Sequence, residues 1–328
     1  MLTIKHRLLN NCVFILNLIL ILVLGCHAPH NNPLDPENSN NKLAALNGLV
    51  KTMNIPSAPI DNSTIIFESQ NLITTTNSEG YFSFENIRQM DGWLKIIKEG
   101  FKTDSIYILW GNNRNLSVNI HLNSLPILQT SSFYSVIVNR YTIEPLAYLV
   151  INESVTDRDN DIDSIFVTCP SLNFIQPLEY NVSKKYYEAL LYPASMNVSD
   201  IEIIVGREFN IIVKDKFNDL IEVKREQVSR IIKSEILFES PKDQEIVPPK
   251  PTLRWKRFTP GFVFTYTTEI YTNEIDPQLV WQKENISPDD ISIPVSDSLS
   301  AGNYFWVIWG IDNFQNRTRS KPASFVVE

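Results

Sequence analysis

From Leu46 to the end of the chain, no long segment carries a helical period with caps at its ends. Apolar, aromatic and β-branched residues come instead in short runs, with Asn, Asp, Pro and Gly clustered between them. Many short strands at close spacing must pair into sheets and bury one face of each. The expected fold class is therefore all-β, as tandem β-sandwiches. Ten glycines in 328 residues are few for so many turns. Asn and Asp are expected to form many of them, through their tolerance of left-handed backbone and their local side-chain bonds. One stretch, 222–233, reads either as a helix or as the last strand of a domain followed by a linker. A hydrophobic content of 43% is enough to build real cores.

The first 26 residues carry an address. Lys5, His6 and Arg7 form a short positive region, and Val13 to Leu24 is apolar except for Asn17. Twelve residues of helix span roughly 18 Å, well short of a hydrocarbon core of about 30 Å. The segment therefore reads as a secretory signal rather than a membrane span. It ends in Val23-Leu24-Gly25-Cys26, which resembles the bacterial lipobox. That resemblance implies cleavage before Cys26, diacylglycerylation of its thiol, acylation of the new N-terminus and a lipid bilayer as partner. Several acyl chains anchor a protein stably where one does not. Residues 1–25 are then a signal peptide, and 26–45 a lipidated Cys and polar tether. The stretch Asn32-Pro33-Leu34-Asp35-Pro36 looks like the tethers of Bacteroidota-type lipoproteins. No acidic cluster follows Cys26, so the periplasmic face of the outer membrane and the cell surface both stay open.

Of three cysteines, Cys12 leaves with the signal and Cys26 becomes a thioether. Cys169 alone remains, so no intrachain disulfide is expected. It ends an apolar run (Ile165-Phe166-Val167-Thr168) and reads as a small buried hydrophobe rather than a nucleophile.

Residues 46–123 resemble the carboxypeptidase regulatory-like domain, a small transthyretin-like sandwich. The resemblance rests on Leu46-Asn47-Gly48-Leu49-Val50, on the hairpin Thr74 to Ile87 around Gly80-Tyr81-Phe82-Ser83-Phe84, and on Gly92-Trp93 and Gly100-Phe101. Phe82 and Phe84 should alternate inward. Asn62-Ser63 stands where that family usually has a Gly. The family domain is structural, which implies no catalytic residue here. Residues 235–328 resemble a fibronectin type III-like module: Trp255 in an early strand, Phe264 to Tyr271 alternating, and Tyr304 placed as a tyrosine corner. Between them, 124–234 reads as an immunoglobulin-like sandwich. An internal echo supports that reading: Val213-Lys214-Asp215-Lys216-Phe217-Asn218-Asp219 parallels Ile311-Asp312-Asn313-Phe314-Gln315-Asn316. Both read as a penultimate strand entering its hairpin.

Candidate sites are few. Asp157, Asp159, Asp161 and Asp163 alternate on one loop, as Ca²⁺ ligands do, but without the later Gly and the Glu of an EF-hand. The choice there is between Ca²⁺ and a solvated turn, and no other cofactor is implied. If Tyr304, Trp306 and Ile308 face the core, then Phe305, Val307 and Trp309 face outward, with Ile311 beside them. Tyr271 and Trp281 are placed to extend that patch. An apolar outer face marks either an interdomain contact or a partner surface. A net charge of −8 without a basic run excludes phosphate-backbone binding, so no nucleic-acid partner is expected. No nucleophile-elbow, phosphate-loop, dinucleotide or zinc motif occurs. His121, in an alternating strand, reads as structural. The expected function is a non-catalytic, membrane-anchored envelope lipoprotein acting as a binding or scaffold module. The alternative is a glycan-binding accessory lipoprotein of an outer-membrane uptake system. Its partner would be a protein or a glycan of the envelope.

Overall fold

The structure, a computed structural model, describes residues 43–328; Cys26 and its flanks lie outside them. It is all-β, and the chain divides into two units, one ending at Ser124 and one running Leu125–Glu328.

The first unit has seven strands: β1 (Leu43–Thr52), β2 (Thr64–Phe67), β3 (Leu72–Thr75), β4 (Tyr81–Arg88), β5 (Gly92–Ile97), β6 (Asp104–Ile108) and β7 (Asn115–Leu122). They form a three-stranded sheet, β4-β1-β7, and a four-stranded sheet, β3-β2-β5-β6. The strands form because apolar residues alternate. In β1 every second residue is buried, and Leu46 and Val50 meet Phe67, Phe82, Phe84 and Trp110 in one core. Gly80 opens β4 at φ +73°, where an added Cβ would lie 2.4 Å from the Val50 carbonyl oxygen. Asn62 takes φ +48° just before β2, a left-handed conformation that Asn tolerates better than most residues. Asparagine does this throughout. Eight of the twelve non-glycine residues with positive φ among the described residues are Asn.

The second unit continues with β8 (Ile127–Val138), β9 (Leu146–Thr156), β10 (Ile162–Cys169), β11 (Phe174–Pro177), β12 (Glu179–Asn181), β13 (Tyr186–Leu191), β14 (Glu208–Asp215) and β15 (Leu220–Gln227). Then follow β16 (Phe238–Ser240), β17 (Glu245–Val247), β18 (Thr252–Trp255), β19 (Phe264–Thr272), β20 (Leu279–Ile286), β21 (Ser292–Pro294), β22 (Gly302–Asp312), β23 (Arg317–Arg319) and β24 (Ala323–Val327). The stretch 222–233 is strand as far as Gln227 and holds no helix.

Two large hydrophobic cores lie among the described residues of this unit, beside a smaller cluster at the join. One gathers Leu149, Ile151, Val167, Cys169 and Phe209. The other gathers Trp255, Tyr266, Trp281, Trp306 and Phe325. The sequence reading treats these as separate sandwiches, but they share one sheet of order β12-β13-β9-β8-β23-β22-β19-β20, which β24 and β17 complete to ten strands. The join is a parallel pairing of β8 with β23: Val136 with Arg317, Ile137 with Thr318 and Val138 with Arg319. The remaining strands cover the two cores, β11-β10-β14-β15 on the first and β16-β18-β21 on the second.

The internal echo has a geometric basis. Asp215 Oδ1 accepts the N–H groups of Phe217 and Asp219, each at 2.8 Å. Asp312 Oδ1 accepts those of Phe314 and Asn316, at 2.8 and 2.9 Å. Asn218 and Gln315, three residues on in each case, take φ +68° and +69°. One carboxylate thus closes the same turn in both halves. The tyrosine corner is equally concrete, with the Tyr304 hydroxyl donating to the Ser300 carbonyl at 3.0 Å.

Candidate functional site

Strand alternation decides what the outer face of the shared sheet carries. On β22, Tyr304, Trp306 and Ile308 enter the core. Phe305, Val307 and Trp309 therefore take the other face, opposite Tyr271, Glu269 and Thr267 of β19. Tyr271 stacks on Phe305 with ring centroids 5.3 Å apart and planes 13° apart. Glu269 Oε2 accepts both the Tyr271 hydroxyl and the Trp309 indole N–H, each at 2.9 Å. Burial and the Glu269 carboxylate push the Tyr271 hydroxyl up to about 12. Two expectations are corrected here. Val307 is fully buried and meets no solvent. Trp281 does not extend the patch: it sits in the core and donates its indole N–H to Ser296 Oγ. It lies directly opposite Ile270 of β19, a core residue, and paired residues share a face.

The same face continues across the β23–β8 join. Trp309 packs with Val136, Val138, Val150 and Tyr148 in a small cluster of its own. Arg319 and Arg317 lie between the two halves, with the Arg317 guanidinium 4.3 Å from the Tyr134 ring centroid and that of Arg319 5.9 Å from Trp309. Burial lowers the Arg319 guanidinium from its ordinary value. The patch on Phe305 and Trp309 is thus one end of a longer band, and Trp309 is consumed largely by contact within the unit.

At the other end the band opens into a cleft of about 720 Å³. Its floor is Tyr134 of β8 with Tyr148, Val150 and Asn152 of β9. These share a face because Tyr134 pairs with Val150 and Val136 with Tyr148. Tyr186, Glu188 and Leu190 of β13 continue the floor, and Tyr192 rises beside it, its ring 5.7 Å from that of Tyr148. Burial raises the Tyr148 hydroxyl above its ordinary value, and the neighbouring Tyr192 and Tyr134 add to the rise. Polar groups are fixed among the rings. Asn181 Nδ2 donates to Glu188 Oε1 at 2.8 Å, Lys184 Nζ lies 3.8 Å from Glu188 Oε2, and the same ammonium sits 5.4 Å over the Tyr186 ring. The sequence reading missed this cleft. Its one local signal is β8 itself, where Ser135 to Val138 are buried on both faces.

The acidic loop does not assemble as the alternation suggests. Among the described residues, no group of three or more His, Cys, Asp or Glu side chains is placed to hold a metal ion. Asp157 Oδ1 accepts the Asp159 N–H at 2.6 Å. Asp163 lies within β10, exposed, 3.5 Å from Lys214 Nζ. Asp161 is buried, with one carboxylate oxygen unpartnered. Its burial and the carboxylates of Asp157, Asp215 and Asp159 push it up to about 6. Cys169 is fully buried, its Sγ 3.4 Å from Ser171 Oγ. His121 is exposed on β7.

No family model and no curated protein matches the chain. Among solved structures, the fibronectin(III)-like modules of Clostridium thermocellum CbhA match at 12% identity over 62% of this chain and 93% of that one, with a TM-score of 0.30. The FN1–FN3 domains of chicken CNTN1 match at 10% over 81% and 90%, with a TM-score of 0.30. The major pilin subunit of Bacillus cereus matches at 9% over 88% and 96%, with a TM-score of 0.27. Scores this low say nothing of function.

Proposed function

We propose that this chain is a lipid-anchored, non-catalytic binding protein of a bacterial cell envelope, and that its binding element is the outer face of the shared sheet. One observation carries the reading. The outer face of a sandwich is normally polar. Here aromatic rings from Phe305 and Tyr271 at one end to Tyr148 and Tyr192 at the other run along one face, across the join of two sandwiches. The arginines and carboxylates on that face hold rings in place; Glu269 alone orients two of them. Rings held rigidly are what recognition by surface contact needs, because little side-chain freedom is lost on binding.

The anchor rests on Val23-Leu24-Gly25-Cys26 and the apolar run before it. Among the described residues, no helix is long and apolar enough to cross a membrane. Two experiments test the reading. Labelled palmitate should enter the wild-type chain and not Cys26→Ser, and the variant should leave the membrane fraction. Crosslinking on intact cells should join the wild type to an envelope component that Phe305→Ser/Trp309→Ser fails to join. An unlabelled wild-type chain removes the anchor. A double variant that keeps its melting temperature and every crosslink removes the face.

A further inference from the structure

We propose that the cleft between β9, β13 and Tyr192 is a saccharide subsite, which takes a neutral oligosaccharide with one pyranose ring against the Tyr148–Tyr192 pair. This rests on the reading of the shared face as a binding surface and names the ligand class for one end of it.

Size and lining come first. A cleft of about 720 Å³ falls within the roughly 300–1,000 Å³ of small-molecule sites. Its lining is neither an apolar slot nor a charged trough. Tyr148, Tyr186 and Tyr192 supply ring surface, while Asn152, Glu188 and Lys184 supply hydrogen-bonding groups of both kinds. A pyranose matches that mixture. Its C–H face is flat and apolar, and its rim carries hydroxyls that donate and accept.

Charge sets the sign of the ligand. Glu188 is an acceptor already oriented by Asn181 and steered by Lys184, so opposite charges stand side by side in the cleft. Glu179 adds a second carboxylate to the lining, so an anionic ligand is repelled, while a cationic one meets Lys184. A neutral polyol can donate to the carboxylates and accept from Lys184.

The main competitor for a tyrosine-lined cleft is a proline-rich peptide. Such a peptide offers carbonyl oxygens, and its prolines have no N–H to give. The Glu188 carboxylate, an acceptor only, would then lie unused against an acceptor-rich ligand. Sugar hydroxyls satisfy it.

The test uses the full chain, purified in a detergent without a sugar headgroup. It is titrated calorimetrically with cellohexaose, xylohexaose, maltohexaose and chitohexaose, and with a decaproline peptide. Variants are Tyr192→Ala, Tyr192→Phe and Glu188→Gln, each checked by thermal melting. Tyr192 is 41% exposed, so its truncation leaves the core intact. The proposal expects at least one hexasaccharide to bind. It expects Tyr192→Ala to weaken that binding about tenfold, Tyr192→Phe to retain it, and Glu188→Gln to weaken it several-fold. Silence from all four sugars overturns it, as does sugar binding that Tyr192→Ala leaves unchanged, or Tyr192-dependent binding of the peptide alone. If the sugars fail while a Phe305→Ser/Trp309→Ser variant that keeps its melting temperature still loses its crosslinked partner, the saccharide inference falls and the binding face stands. If both fail, the reading of the face falls with it.

Discussion

The side-chain oxygen of Asn316 accepts two hydrogen bonds from Ser135, one from its backbone N–H and one from its hydroxyl, each at 2.9 Å. The two residues are 181 positions apart, and both are buried. Asn316 also donates to Asp312 Oδ2 at 3.2 Å, and Arg230 lies 3.3 Å from that same oxygen. One carboxamide thus ties the hairpin of the C-terminal sandwich to the first strand of the middle one, where β23 meets β8.

Asn316→Ala takes the acceptor from the buried Ser135 N–H, while the Ser135 hydroxyl can still turn to the Arg230 carbonyl at 3.2 Å; the second unit should lose about 1–3 kcal/mol. Urea unfolding should show this as a lower midpoint, with loss of the shared sheet first if the two cores part. Asn316 also sits in an Asn-x-Ser/Thr sequon, Asn316-Arg317-Thr318. Its burial leaves no room for a glycan in the folded chain, so chains recovered folded from a glycosylating host should carry this Asn bare on peptide mapping.

Gly80 and Gly100 offer a controlled comparison. Both have positive φ, +73° and +77°, so an L-residue is strained at either. At Gly80 a Cβ also meets the Val50 carbonyl at 2.4 Å, whereas nothing lies within 4 Å at Gly100. Gly100→Ala should cost about 1 kcal/mol and Gly80→Ala about 3 kcal/mol or more, because backbone has to move. Thermal melts of the two variants should rank them in that order.

Tyr304→Phe keeps the ring against Phe325 at 5.6 Å and deletes only the hydroxyl that reaches Ser300. A loss of about 1 kcal/mol is expected. Stability unchanged by the substitution would mean that the corner is an ornament of the turn rather than its fastening.

What could be read ahead of the structure was whatever is local. The hairpin through Gly80, Phe82 and Phe84 follows from alternation and one positive φ. The Asp215 and Asp312 turns are written in five residues each, and Tyr304 needs only its own corner. The cleft depends on distant registers instead. Tyr134 and Tyr148 face the same way because β8 pairs with β9. Arg317 comes to lie over Tyr134 because β23 pairs with β8. Nothing near Tyr134 in sequence announces Arg317. Trp281 follows the same rule: it turns inward because β20 sets it opposite Ile270, a register that nothing near Trp281 in sequence announces.

Glu153 gives the last expectation, a pH dependence with a defined sign. It lies on β9, fully buried, with Oε2 unpartnered. The Ser131 hydroxyl stands 3.0 Å from its Oε1 and 3.1 Å from Oε1 of Glu226. One hydroxyl hydrogen cannot serve two carboxylates. A protonated Glu153 resolves the conflict by donating to Ser131, which then donates to Glu226. Burial is the largest cause that pushes Glu153 up to about 8 from an ordinary 4.5, and Glu226 adds to it. The folded chain therefore holds a proton that the unfolded chain releases. Its contribution is fully present below pH 4.5, declines as pH rises, and is lost above about 8. Glu153→Gln keeps a neutral, hydrogen-bonding side chain at every pH. The variant should be more stable than the wild type above pH 8, by about 1–3 kcal/mol, and should approach it near pH 5. Chemical denaturation across that range measures both curves, and parallel curves would show that Glu153 is not the group responsible.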